Sequence, residues 1–154
     1  MKKKFWLAAS IAILAAAVSI PVVAWASSID TKLQIGFNLH FTGPDSTAGT
    51  FVASGAVRDS GTSVVTHIAL TPQGNQDDAG LTGTQEFIGA KGSITTTFSG
   101  FAGPLNDPHQ TGKGTFEILG GTGEYSNIKG HGTFLIVVDT STNQLIGTED
   151  GQAN

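Results

Sequence analysis

The chain has 154 residues, with 8 Lys or Arg against 12 Asp or Glu, 21 glycines and no cysteine. The missing thiol rules out disulfides, Cys-ligated metals and thiol nucleophiles. The acidic balance leaves no basic stripe for phosphate contacts, so neither nucleic acid nor an anionic membrane surface is expected as a partner.

Lys2, Lys3 and Lys4 precede an uncharged stretch from Phe5 to Ala26, rich in Ala, Ile, Leu and Val. Pro21 interrupts it shortly before Ala24-Trp25-Ala26, a small-x-small triplet. A positive start, an apolar run and such a triplet predict a secretory signal peptide over residues 1–26, cleaved after Ala26. A retained membrane anchor is the competing expectation, since the run is long enough to span a bilayer. No cysteine follows the run to take a lipid, and no twin arginine precedes it. The expected mature chain is therefore a secreted, extracytoplasmic single domain over 27–154, with no membrane partner once the signal is removed. Its 5 basic against 12 acidic side chains make it more acidic than the whole.

Leu33, Ile35, Phe37, Leu39 and Phe41 are apolar at every second position, which predicts a strand with one buried face. Gly43-Pro44-Asp45 breaks it, and Thr50–Ser54 restarts as a second strand. Asp59-Ser60-Gly61 reads as a turn into a third strand over 63–70. After a polar loop over 72–80, strands over 82–88 and 93–99 flank Gly89-Ala90-Lys91-Gly92. A second loop, 103–111, holds Pro104 and Pro108. A strand over 113–119 then leads to a glycine-rich corner, and strands over 131–139 and 144–148 pair across 140–143. Eight short strands without a convincing amphipathic helix predict an all-β fold, an antiparallel sandwich or a closed barrel. Closure is favoured because it removes exposed edges without disulfides.

Residues 114–134 have family character, around Gly120-Gly121-Thr122-Gly123-x-Tyr125-x-x-Ile128-x-Gly130. This segment resembles the strand, glycine corner and strand of the allene oxide cyclase-like barrels, a group that includes plant dirigent proteins. Residues 51–61 also look like the second-strand region of small bacterial relatives. The resemblance implies an eight-stranded antiparallel up-and-down barrel with a mostly apolar interior, often assembled as a homotrimer. Gly120, Gly121, Gly123 and Gly130 would form the structural corner, with Tyr125 and Ile128 capping the barrel end. Plant cyclases use a glutamate and an asparagine from the first strand, and a cysteine occurs in their barrel. Here the first strand has Asn38 but no glutamate, so the cyclase set is not reproduced and no catalytic residue is carried over.

The four histidines, His40, His67, His109 and His131, show no zinc spacing. Residues 74–80 and 103–108 offer oxygen ligands without a calcium-loop pattern and read as solvated turns. No metal and no cofactor is expected. Glu117 stands between Phe116 and Ile118; on an inward face it would be a candidate general acid or base, on an outward face a wet side chain. Asn38 and His40 share that ambiguity, because parity separates two faces without naming the inner one. The expected ligand-contacting set is Asn38, His67, Glu117 and Tyr125. The leading functional expectation is a secreted non-catalytic barrel that binds a small apolar ligand or acts structurally. Its rival is an isomerase or cyclase acting on an apolar substrate, which would need an inward ionisable group, Glu117 or His67 first. A cell-surface interaction module is the third reading, and it would need a large exposed apolar patch.

Overall fold

A computed structural model describes residues 31–74 and 77–154. The expected export signal over 1–26 lies outside the described residues. Eight strands follow in chain order: β1 (Lys32–Gly43), β2 (Ser46–Gly55), β3 (Asp59–Pro72), β4 (Ala79–Gly89), β5 (Ser93–Gly103), β6 (His109–Gly121), β7 (Gly130–Asp139) and β8 (Gln144–Ala153). A single 3-10 turn, Gly123–Tyr125, separates β6 from β7. Every strand pairs antiparallel with its sequence neighbours, and β8 closes on β1 from Gln152↔Lys32 to Gln144↔His40. The up-and-down barrel expected from the sequence is the fold observed.

The strands outrun the apolar patterns that announced them. The eighth runs on to Ala153, beyond the Thr148 at which its expected span stops. In a closed barrel each strand has a hydrogen-bonding partner on both sides, so polar residues extend the ladder as well as apolar ones do. On β3 the register shifts between Val65 and His67, so the inward parity passes from Ser63 and Val65 to Ile68 and Leu70.

Burial settles which face is inside. Leu33, Ile35, Phe37 and Leu39 are buried, whereas Asn38 and His40 are exposed on the outer wall. The glycine content has a packing reason here. A Cβ on Gly147 would collide with the Phe37 ring, one on Gly83 with Phe98, and one on Gly132 with Phe116. Large and small residues thus alternate across the interior, which lets an eight-stranded barrel hold several phenylalanines.

The two ends of the barrel differ. At the base, Val57, Tyr125 and Ile128 come in from the connecting loops and are buried with Phe51, Phe87 and Ile94 in the main core. Phe87 meets Phe51 edge-on at 5.2 Å between ring centroids and Phe37 at 6.1 Å. The expected capping role of Tyr125 and Ile128 is therefore seen. Gly123 takes a φ of 59°, and a Cβ there would strike the Lys91 carbonyl, so the corner closes over the β4–β5 turn only with glycine. The Asp59 carboxylate ties the base loops together. It accepts hydrogen bonds from the N–H groups of Ser60 (2.9 Å), Ala90 (3.1 Å) and Lys91 (3.0 Å) and from the Tyr125 hydroxyl (3.1 Å). The other end, formed by the turns after β1, β3, β5 and β7, is open.

Candidate functional site

A cavity of about 240 Å3 opens at that second end. Phe41, Pro44, Leu70 and Thr140 stand around its entrance, and Phe98, Phe134 and Ile136 form its walls. Its floor is polar. Gln85 and Glu149 reach into the cavity, from β4 and from β8. Gln85 Nε2 donates to Ser63 Oγ at 2.8 Å, and Thr96 Oγ1 donates across the interior to Glu149 Oε1 at 3.3 Å. Gln85 and Thr96 are cross-strand partners, so Ser63, Gln85, Thr96 and Glu149 form a belt between the hollow half and the filled base.

Glu149 is 1% exposed. Its second oxygen, Oε2, has no hydrogen-bond partner. Among the described residues lining the cavity it is the only ionisable side chain. Burial disfavours the charged form and pushes its pKa to about 8, against a smaller downward pull from the Thr96 hydroxyl. At neutral pH the group is mostly a carboxylic acid, with an O–H donor held at the bottom of an apolar chamber. Burying an unpaired polar group costs stability, about 1–3 kcal/mol in proteins. Among the described residues the protein supplies no hydrogen-bond partner for Oε2.

The four side chains expected to touch ligand do not line this cavity. Asn38, His67 and Glu117 are exposed on the outer wall, and Tyr125 sits in the base at the opposite end. Each has a physical reason. Asn38 lies opposite the buried β1 stripe. Glu117 alternates with buried Phe116 and Ile118, which take the interior. His67 falls at the β3 register shift, where the inward parity moves to Ile68. Glu117 instead faces His131 across β6 and β7 in a shallow outer groove beside Lys129. His40, His67, His109 and His131 are all exposed; His109 Nδ1 lies 3.8 Å from Asp139 Oδ2. The two loops weighed for calcium meet one another through Asn106 Nδ2 donating to Asp77 Oδ1 at 2.6 Å. Among the described residues, no group of three or more His, Asp or Glu is placed to hold a metal ion.

Glu149 and Gln85 are the residues that the sequence reading passes over. The signal for Glu149 is present but faint. Leu145, Gly147 and Glu149 share a parity, yet a glycine and two consecutive acids, Glu149 and Asp150, read as the end of a strand. Continuing β8 in register places Glu149 beside Ile35 and Phe134, both inward.

No family model, curated protein or solved structure matches the chain. The fold is that of eight-stranded antiparallel barrels in general. Among the described residues, no helix is long and apolar enough to cross a membrane.

Proposed function

We propose that this protein is a non-catalytic, extracytoplasmic binding barrel that holds one small, largely apolar molecule in the open half. The observation that carries this reading is the polar floor under an apolar chamber, with Glu149 Oε2 left unpartnered. Ligand sites are typically concave and apolar, with few polar groups that fix orientation. At about 240 Å3 the chamber lies below the common range of about 300–1,000 Å3, so its occupant is a single ring or a short chain. The segment over 114–134 supports placing the chain among the allene oxide cyclase-like and dirigent-like barrels, with a homotrimer as the implied assembly. On the outer wall Val137 and Ile146 are cross-strand neighbours, and with Leu135 they form an exposed apolar strip that such an assembly would cover.

Native mass spectrometry of the protein recovered from its own host tests the reading. A bound small molecule that leaves on denaturation is the expected result, and the same spectrum reads the oligomer. A clean mass, together with no uptake of any small apolar compound added at millimolar concentration, would sink it.

A second reading rests on the same carboxyl. A carboxylic acid kept protonated at neutral pH in an apolar chamber is also a general acid, so an isomerase or cyclase acting on an apolar substrate retains the inward ionisable group it requires. Conversion of the co-purifying molecule to an isomer, abolished in Glu149→Gln, would favour catalysis over storage.

A further inference from the structure

The connections at the open end of the barrel carry acids without Lys or Arg, whereas the base mixes both signs. The four connections at the open end, over 43–46, 72–79, 103–109 and 139–144, carry Asp45, Asp77, Asp78, Asp107 and Asp139 and no Lys or Arg. At the base Lys32, Arg58, Lys91 and Lys129 stand together with Asp59 and Glu124. An entrance rimmed with one sign of charge above a low-dielectric chamber focuses field lines and concentrates the opposite charge at its mouth. The same rim repels carboxylates and phosphates.

The interior supplies a matching feature of its own. Glu149 is 1% exposed and lines the floor, and its Oε2 is unpartnered. No cationic side chain lines the chamber among the described residues. We infer that the ligand is a small organic cation, a protonated primary or secondary amine carried on one apolar ring or short chain, whose ammonium is drawn in by the aspartate rim and pairs with Glu149 Oε2 at the floor. This rests on the reading of the open half as a binding chamber, and it adds the chemical class of what is bound.

The proton count follows from the pairing. An ammonium R–NH3+ that meets the protonated Glu149 leaves a carboxylate–ammonium pair and sends one proton to solvent. The ammonium N–H donates to Oε2, while the Thr96 hydroxyl continues to donate to Oε1. Charge-assisted hydrogen bonds of this kind are roughly twice as strong as neutral ones. A neutral alcohol of the same shape releases no proton, because it takes one hydrogen bond from the acid and leaves it intact. The walls, with Phe98 and Phe134 edge-on at 5.6 Å between ring centroids, provide aromatic faces and edges for the apolar body.

Isothermal titration of the protein with three matched probes, 2-phenylethylammonium, 2-phenylethanol and phenylacetate, tests this at about pH 6.5, where the acid is mostly protonated. The ammonium is expected to bind about tenfold or more tightly than the alcohol. Its enthalpy should vary with the ionisation enthalpy of the buffer, reporting close to one proton released. Phenylacetate should be the weakest. In Glu149→Gln the ammonium should lose its advantage over the alcohol and its proton release should vanish. Continued binding of the alcohol, its hydrogen bond now given by the glutamine amide, separates a lost ion pair from a lost fold. The paired variant Asp45→Asn with Asp78→Asn should slow ammonium association at low salt while leaving the alcohol unchanged. Equal affinity for alcohol and ammonium, or preference for phenylacetate, overturns the amine assignment and leaves the chamber standing. No binding by any probe or by other small apolar compounds overturns the chamber and the amine together.

Discussion

The base and the mouth of this barrel are made from the same eight strands, yet they are finished in opposite ways. At the base, loop residues turn inward: Val57, Tyr125 and Ile128 are buried, and one carboxylate gathers hydrogen bonds from two of the connections. At the mouth, the connections stay on the rim, and Leu70 is 48% exposed although it lines the cavity. Packing is concentrated in one half, and the other half encloses the open cavity. The polar belt of Ser63, Gln85, Thr96 and Glu149 marks the change from one regime to the other.

Two truncations should expose the contrast most strongly. Phe87 is almost fully buried between Phe37 and Phe51, so Phe87→Ala removes ring contacts and leaves a void that the glycine-lined strands cannot fill. The expected cost is about 3–5 kcal/mol, read as a fall in the urea midpoint. Leu70→Ala at the entrance should cost under about 1 kcal/mol in the same experiment, because half of its surface is already in water. Comparable losses at both positions would mean that the mouth is packed as firmly as the base, and the division into halves would fail.

The belt itself should behave in the reverse sense, with a substitution that stabilises. Glu149 has a folded pKa raised to about 8 from 4.5, chiefly by burial. Below pH 4.5 both folded and unfolded chains hold this proton, and the group is neutral with respect to stability. As pH rises from there to about 8, the unfolded chain gives up its proton while the folded one keeps it, so stability falls across that window. Glu149→Gln keeps the shape and cannot ionise. It should flatten the profile between those limits and be more stable than the native protein near pH 8, by a few kcal/mol at roughly 1.4 kcal/mol for each pH unit between the two pKa values. Urea unfolding of both proteins at several pH values between these limits measures it. A native profile that stays level, or a variant less stable at the upper end, would show that the chamber already solvates the carboxylate.

Much of the base was legible in the sequence, and much of the chamber was not. The period-two stripe from Leu33 to Phe41 and the glycine corner over 120–130 are local signals, because strand parity and tight corners are set by neighbouring residues. The choice of inner face is a global fact. Asn38 and Glu117 face outward only because the apolar faces of all eight strands point to a common interior once β8 has joined β1. Glu149 was hidden for a related reason. Its strand continues through Gly147 and Asp150, which have poor strand propensity on their own, because β1 and β7 hold it on both sides. The outward position of His67 follows from the register shift on β3, which alters parity without any glycine or proline at the site to announce it.

A narrower test isolates the hydrogen bond that fastens the base. Burial pushes the Asp59 pKa up, but the N–H groups of Lys91, Ser60 and Ala90 and the Tyr125 hydroxyl outweigh it and hold the carboxyl below its ordinary value. That group therefore stabilises the fold above its unfolded pKa, and its contribution disappears as pH falls through the folded value. Tyr125 shifts the other way, to about 12, through burial first and then its bond to Asp59 and the nearby negative charges. Between pH 10 and about 12 an unfolded tyrosine ionises while the folded one stays protonated, so native stability declines over that range. Tyr125→Phe keeps the ring against the core and removes only the hydroxyl. It should cost about 1–2 kcal/mol near neutral pH, at the lower end because Asp59 is partly solvated and keeps three backbone donors. It should also remove this group's share of the alkaline decline, which no loss of ring packing would do. An unchanged midpoint at pH 7 combined with an unaltered alkaline limb would mean that the ring alone closes the base and the Asp59 bond is incidental.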